Sequence, residues 1–529
     1  MRYKSPSNLV TLKDASLWAT KYMNRKMTAS NISYLIQYGK IRKYRIGNRV
    51  FVSLDELKSY YDSLYREKNG ESQLKENINW SLSFAQYTEA ERTKHVHRLH
   101  PYKGKFIPQL VEYFLDSHTD EFKREVYLHK GDIVLDPFCG SGTTLVQANE
   151  LGIHGIGLDV SPFNALISNV KTRKYNLDII KNTIRRLTLK LKEFQKTNNN
   201  TIFDEILRLD LAKFNTKYFP SPEYKRKVAK GIINEYEYSK EKEREFLNIY
   251  NEFIQKYKIK VQQDKSETFL DKWFLEPVRK EIDFLAQDIK NIDNLEVREV
   301  LMIILTRTVR SCRATTHEDL ATLKDPVPTP YYCKKHGKIC KPIFTITKWW
   351  EFYAKDTIKR LNEFDKLRTD TFQICLMGDS RKIDIYEELK GVNPEFANLM
   401  KKQKIKGIFT SPPYIGLIDY HEQHVYAYEL FGFERNDELE IGSLSKGRRK
   451  EHLDVYVKDI AEVLLNCKKY LQEDYNVFLV ANDKFNLYPK IAELAGMKIV
   501  NQFNRPVLNR VEKNRNSLYV ETIFHLKEK

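Results

Sequence analysis

Runs of alternating and of helically spaced apolar residues divide this chain into stretches of different character. Between residues 11 and 65 the pattern predicts helix, helix, strand, strand, helix. Thr11 opens the first helix (TLKDASLWATKYM), and Thr28 and Ser30 can cap the second (SNISYLIQYGK), which Gly39 ends. Two short alternating runs, IRKYRIG and RVFVS, then meet at Gly47-Asn48 as a tight hairpin. Ser53-Leu-Asp-Glu begins a third helix with the spacing of a capping box. The polar run REKNGESQLKEN (residues 66–77) opens a linker expected to reach residue 94. Residues 95–170 include a strand ending at Asp136, a glycine-rich loop, a helix (LVQANELG) and a second strand (HGIGLDV). Residues 171–370 are helical and highly charged, as in KEKEREFLNIYNEFIQKYKIK. From 371 to 529 buried strands return at Cys375, Ile408, Asp474, Lys498 and Leu518.

Composition narrows the setting. The 529 residues suggest three or four domains, and 41% hydrophobic with 12% aromatic residues is enough to bury real cores, which excludes wholesale disorder. Lys and Arg total 89 against 71 Asp and Glu, a net charge of +18. Residues 1–70 alone carry 14 basic and 5 acidic side chains, half of that excess on an eighth of the chain. Such a balance favours a polyanionic partner, and nucleic acid rather than a membrane, because no segment offers about 18 uninterrupted apolar residues. The N-terminus, MRYKSPSNLVTLKD, lacks the apolar core of a secretory signal, and six cysteines do not make a disulfide framework. The expectation is a soluble, cytoplasmic protein.

The N-terminal order of elements resembles the excisionase-like winged helix-turn-helix family. That resemblance implies a second helix in the major groove of double-stranded DNA, with Arg42, Lys43, Arg45 and Arg49 of the wing on phosphates. A solvated basic domain that binds a protein is the other reading of the same residues.

The loop after Asp136 reads DPFCGSGTT. It lacks the Lys-Ser/Thr of a phosphate-binding loop and departs from the dinucleotide fingerprint. It resembles the S-adenosyl-L-methionine (AdoMet) motif of DNA amino-methyltransferases. The resemblance implies a cofactor site made by Asp136, Pro137, Phe138, Cys139, Gly140, Gly142, Thr143 and Thr144, with Asp136 toward the methionine amino group and Asp159 on the ribose. HRLHPYKGKFIPQLVEYFL (residues 97–115) resembles the segment that packs on the methionine end, with Lys105 and Phe106 as candidates. Asp379, after the strand at Cys375, resembles the acid that receives the adenine amino group.

The sharpest motif is Ser411-Pro412-Pro413-Tyr414 after a strand ending at Thr410. Consecutive prolines have no N–H and hold the backbone extended, so their carbonyls can accept hydrogen bonds. The exocyclic amino group of a base is a poor nucleophile because its lone pair is delocalised into the ring. Accepting both of its protons, through the Ser411 hydroxyl and the Pro412 carbonyl, would localise that pair toward a methyl donor. Tyr414 would stack on a base flipped from the duplex. The four residues resemble the catalytic motif of the amino-methyltransferases, and Ser at the first position resembles the cytosine-N4 branch, where adenine-N6 enzymes show Asp or Asn. The aromatic tract GLIDYHEQHVYAYELFGFE (residues 416–434) fits either a cover for the target base or an amphipathic core helix.

By that resemblance the insertion holds the target-recognition region, with Arg307, Arg310 and Arg313 as DNA contacts and Thr315, Thr316 and His317 as an alternative border to the base. Cys333-x2-His336-x3-Cys340, with Cys312 or His317 upstream, offers a zinc set, and Cys312 is taken as the fourth ligand. A basic loop with incidental cysteines is the other reading. Covalent cytosine-C5 chemistry is excluded by the lack of a Pro-Cys step.

The expected architecture is therefore α/β: a Rossmann-like AdoMet-dependent methyltransferase domain with a long, mainly helical insertion and an N-terminal winged helix-turn-helix. The expected activity is cytosine-N4 methylation of a specific duplex sequence within a prokaryotic restriction-modification or defence system, beside a cognate restriction endonuclease. Adenine-N6 methylation and a non-catalytic AdoMet-sensing regulator are the alternatives.

Overall fold

A computed structural model describes residues 8–22, 27–37, 41–46, 49–69, 78–197, 200–319, 322–447, 449–507 and 519–529. They form two compact units, one comprising residues 1–92, 480–484 and 501–524, the other 93–479, 485–500 and 525–529.

In the smaller unit, β1 (Leu9–Thr11), β2 (Tyr44–Ile46) and β3 (Arg49–Ser53) form a sheet in the order β1-β3-β2. Helices Leu12–Tyr22, Ala29–Gln37 and Leu54–Asn69 accompany it, and Ala15, Ala19, Ile32, Val52 and Leu57 supply a fully buried core. The caps act where expected. The Thr11 hydroxyl donates to Asp14 (2.6 Å), and Thr28 and Asn31 cap each other's backbone N–H (2.8 and 3.3 Å). At Ser53 only half of the capping box forms. Glu56 N–H donates to Ser53 Oγ, but the Glu56 carboxylate turns to Arg42 N–H and the Tyr44 hydroxyl, both at 2.8 Å, and so ties the third helix to β2. β2 and β3 pair antiparallel with Tyr44 opposite Phe51, while Gly39 and the Gly47-Asn48 turn lie outside the described residues. β1 was not expected, because three residues are too short to show alternation.

The linker is also shorter than predicted. The third helix continues to Asn69. Ile78 pairs with Asn504, Asn79 caps the 3-10 turn Trp80–Ser83, and a short helix follows at Glu89–Arg92, so backbone bonding resumes well before residue 94.

The larger unit holds β4 (Ile133–Asp136), β5 (His154–Asp159), the separate ribbon β6 (Tyr331–Cys333) and β7 (Lys338–Cys340), then β8 (Gln373–Met377) and β9 (Ile405–Thr410), while β10 (Leu471–Ala481), β11 (Met497–Pro506) and β12 (Val520–Glu528) have residues in both units. The main sheet runs β11-β12-β10-β9-β4-β5-β8, and β10, β9, β4, β5 and β8 are mutually parallel. β4 is buried along its whole length, as a strand covered by helices on both faces must be. Phe114, Phe409 and Phe478 stack beneath it at 4.9–6.3 Å between ring centres. The chain winds outward from β4 through β5 to β8, then returns to the other side of β4 for β9 and β10. The order therefore reverses between β4 and β9, and an open parallel sheet forms its ligand crevice at such a switch point, beyond the carboxyl ends of the strands.

The insertion is helical, as its pattern predicts, with long helices at Leu177–Lys196, Asn200–Tyr218, Glu235–Tyr257, Glu276–Lys290, Leu295–Ser311 and Thr347–Asp365. It is not a separate lobe. Its apolar faces share one core with Val146, Phe163 and Ile167 beside the sheet and with Tyr426–Leu430. This answers the two readings of residues 416–434. Helix Val425–Phe431 is core, and Glu429 caps the helix Phe269–Trp273 through both oxygens at 2.8 Å, whereas Tyr420 faces the sheet's crevice. Cys467 is fully buried in the helix Lys450–Lys468. Among the described residues no helix is long and apolar enough to cross a membrane.

Candidate active site

Asp136 ends β4 and Thr410 ends β9, side by side at the switch point. The Thr410 hydroxyl donates to Asp136 Oδ1 at 2.6 Å, and the Thr144 hydroxyl donates to Oδ2 at 2.7 Å. Phe138 N–H adds a longer bond of 3.2 Å. Asp136 is 1% exposed, and burial pushes its carboxyl up to about 6 against the pull of these donors. One side chain thus joins the glycine loop to the residue before Ser411. Thr410→Val removes a hydroxyl from a buried carboxylate and is expected to cost about 1.5–3 kcal/mol in urea unfolding. An unchanged midpoint would show that the bond carries no stability.

The loop 137–144 is held by its surroundings. Gly140 N–H donates to Asp159 Oδ2 (2.8 Å), and the buried Lys171 ammonium donates to the Ser141 carbonyl. Gly140 sits at φ +51°, and a Cβ there would lie 2.9 Å from the Tyr102 hydroxyl. Gly142, at φ +74°, would place one 2.9 Å from Ser168 Oγ. Asp159 also accepts from Ser161 N–H (2.8 Å) and Asn164 Nδ2 (3.1 Å), and burial raises its carboxyl to about 6.

A crevice opens at this point. It brings together most residues singled out in the sequence: Lys105, Phe106, Asp136, Pro137, Phe138, Cys139, Gly140, Thr143, Asp159, Asp379, Ser411 and Pro413 all line it. Gly142, Thr144, Pro412 and Tyr414 are not among its lining residues. Lys105 is held by the His97 carbonyl (2.6 Å), and Phe106 packs edge-on against Phe409 at 5.5 Å. Asp379 differs from expectation in its partner. Burial would raise its carboxyl, but Arg381 grips both oxygens at 2.9 Å and leaves it below the usual range, and Arg381 also reaches Asp459 at 3.0 Å. Ser411 presents a hydroxyl with no hydrogen-bond partner among the described residues. The Pro412 carbonyl is likewise taken by no N–H or hydroxyl among them, whereas the Pro413 carbonyl accepts from the Tyr456 hydroxyl at 3.0 Å.

Sequence reasoning offered the tract that holds Tyr420 as a cover but missed Tyr102 and Glu440 beside it. Tyr102 stacks on Tyr420 (6.0 Å between ring centres) and contacts Asn164, and Glu440 binds the His421 ring and backbone at the rim. Tyr102 lay inside a segment already singled out. Glu440 carries no local signal, because its partner is 19 residues away.

A second cleft, of about 620 Å³, is basic and aromatic. Arg98, Arg310, Arg313, Lys341, Trp349 and Phe352 line it, together with Arg307, Thr315 and His317. Arg307 corrects the prediction for it. Only 6% exposed, it is paired with Asp356, donates to Thr357 (2.7 Å) and lies over the Tyr353 ring, so its charge is spent internally. Arg310 and Arg313 remain half-buried at the cleft wall, and Arg42 and Lys43 are exposed in the smaller unit. The side chains of Arg45 and Arg49 lie outside the described residues. Cys312 is buried in the insertion core and does not join Cys333, His336 and Cys340, which gather with His317 instead.

Residues 8–170 match a family model described as DNA methylase. The type II methyltransferase M.MjaII of Methanocaldococcus jannaschii is 49% identical over 98% of this chain and 97% of its own length. The type II methyltransferase M.BsoBI of Geobacillus stearothermophilus is 26% identical over 47% of this chain and 51% of its own, and M.MvaI of Kocuria varians is 28% identical over 23% and 25%. With near full-length likeness to the first and a crevice at the sheet's switch point, the chain belongs to the type II DNA methyltransferase family.

Proposed function

We propose that the protein methylates the N4 amino group of cytosine in a specific duplex DNA sequence, using AdoMet. The observation that carries this reading is Ser411 at the switch point, its hydroxyl open to the crevice one residue from the Thr410 that binds Asp136. The crevice suits the cofactor. Gly140 leaves a cradle that a Cβ would fill, and two buried carboxylates with no ion pair among the described residues, Asp136 and Asp159, suit a cationic ligand with a ribose diol. Asp379, held by Arg381, would meet the adenine end.

AdoMet supplies a methyl group on a sulfonium, which makes it electrophilic. The chain's own part is to position the nucleophile. Ser411 Oγ and the Pro412 carbonyl accept the two amino protons of the base, and the Tyr456 bond to Pro413 fixes the backbone that presents them. Tyr414 supplies a stacking face for a base that has left the duplex. On transfer an N–CH3 bond would replace the S–CH3 bond, the demethylated thioether would leave, and the surplus amino proton would pass to water. The cleft containing Arg310 and Arg313 and the N-terminal winged unit supply cationic surface for the DNA backbone. A cognate restriction endonuclease acting on the same site is the partner this reading implies.

Single-molecule sequencing of DNA from cells expressing the protein tests it, with Ser411→Ala as control. N4-methylcytosine in one sequence context is the expected result. N6-methyladenine would keep the mechanism and overturn the base, and DNA without any mark from a folded, AdoMet-binding protein would overturn the reading.

A further inference from the structure

The four side chains His317, Cys333, His336 and Cys340 bring their ligand atoms within 4.8 Å of one another. Three of them belong to the β6–β7 ribbon. The turn between the strands is drawn in by His336 and Gly337 N–H bonds to the Cys333 carbonyl (3.1 and 2.7 Å), and Gly337 takes φ +62°. His336 Nδ1 then lies 3.5 Å from Cys333 Sγ and 3.4 Å from Cys340 Sγ. In a tetrahedral zinc site, Zn–S near 2.3 Å and Zn–N near 2.0–2.1 Å put nitrogen and sulfur ligands roughly 3.5 Å apart. Those two separations are therefore the edges of a zinc tetrahedron.

The fourth corner comes from elsewhere in the chain. His317 stands in the loop between the helix Leu295–Ser311 and β6, and its ring meets that of His336 edge-on at 4.5 Å. Its Nδ1 bonds the Tyr331 hydroxyl at 2.7 Å, which makes Nε2 the nitrogen available to a metal and fixes the ring as outer partners fix ligating histidines. Both sulfurs are buried, at 2% and 8% exposure, while both imidazoles reach the surface. Cys312, the nearer cysteine in sequence, ends its helix inside the apolar core and cannot take part.

We infer that these four residues bind a structural zinc ion as a Cys2His2 site. Cys333 and Cys340 bind as thiolates, releasing two protons and neutralising the ion's charge. With four protein ligands the site has no open position, which makes it structural rather than catalytic. Its role is to pin the loop around residue 317, which has no helix or strand among its described residues, onto the ribbon. His317 and Tyr331 line the basic cleft, so the metal braces one wall of it.

The test is the metal content of the full-length, untagged protein purified without chelator, followed by exchange with cobalt. The expected result is about one zinc per chain, and a cobalt form with the visible bands of tetrahedral coordination and a sulfur-to-cobalt charge-transfer band. Tyr331→Phe should weaken zinc binding by about 10–100-fold, as loss of an outer partner does. Cys312→Ala should leave the stoichiometry unchanged. A wild-type protein with neither zinc nor cobalt uptake would overturn the inference, as would a Cys333–Cys340 disulfide in freshly isolated protein. Full metal binding by a Cys333→Ser variant would do so too. None of these readouts uses methylation, so the inference stands or falls apart from the choice of base.

Discussion

Ser411→Ala is expected to lower methyl transfer by about 10²–10³-fold while AdoMet affinity stays within about threefold of wild type. The size follows from losing one preorganised hydrogen-bond partner aimed at the reacting group, worth about 2.7–4 kcal/mol in a transition state. The split between rate and binding follows from place. Ser411 opens on the crevice one residue beyond Thr410, whereas the buried carboxylates on the cofactor side are Asp136 and Asp159. Single-turnover methylation of a cognate duplex, read beside calorimetric AdoMet binding, checks both halves. Equal loss of binding and rate would mean that Ser411 holds the cofactor, and an unaltered rate would remove it from catalysis. Tyr414→Ala should also lose turnover and keep AdoMet, through loss of stacking on the base.

AdoMet affinity is expected to fall about 100-fold between pH 7.5 and pH 5. Burial raises Asp136 and Asp159 each to about 6, against an ordinary 3.8, and outweighs the hydrogen bonds that pull the other way. A cationic ligand binds the ionised form, so each carboxylate that must lose its proton costs about tenfold one unit below its own titration. The stability of the cofactor-free protein should move the other way. These acids ionise near 3.8 when unfolded and near 6 when folded, so between those values the native state holds the extra protons. Their contribution to stability therefore grows as pH falls from 6 toward 4. Calorimetry across this range, with Asp136→Asn flattening part of the slope, is the check. An affinity indifferent to pH would show that neither carboxylate faces the cofactor.

Much of the crevice was legible because its parts are local. A buried apolar run ending in an acid reads as a strand end at the sheet's edge, and both Asp136, with glycines after it, and Asp159 stand at such ends. Two prolines after β9 were legible for the same reason. What was not legible depends on partners distant in sequence. Arg307 looked like one of three cations on a basic stretch until Asp356, 49 residues on, claimed it. Glu56 fitted a capping box, but the packing of β2 against the third helix offered its carboxylate better donors. Cys312 and His317 both stood upstream as the fourth ligand, and Cys312 was taken, yet it is buried in the insertion's core while His317 joins the cluster. The insertion was legible as helical and charged, and only packing shows that its apolar faces complete the core beside the sheet.

The interleaved strand order also governs how this protein comes off the ribosome. β4 and β5 are made early, but their outer neighbours, β9 and β8, lie more than 200 residues further along the chain. At ordinary elongation rates that delay lasts on the order of ten seconds or more. Throughout it the nascent pair has two open edges and two uncovered apolar faces, the state most prone to pair with another chain. The helices Leu177–Lys196 through Leu295–Ser311 emerge during this wait and share a core with the segment just after β5. They can therefore shelter the unfinished sheet. The same helices that fill the time between the two motifs thus complete the core of the finished protein.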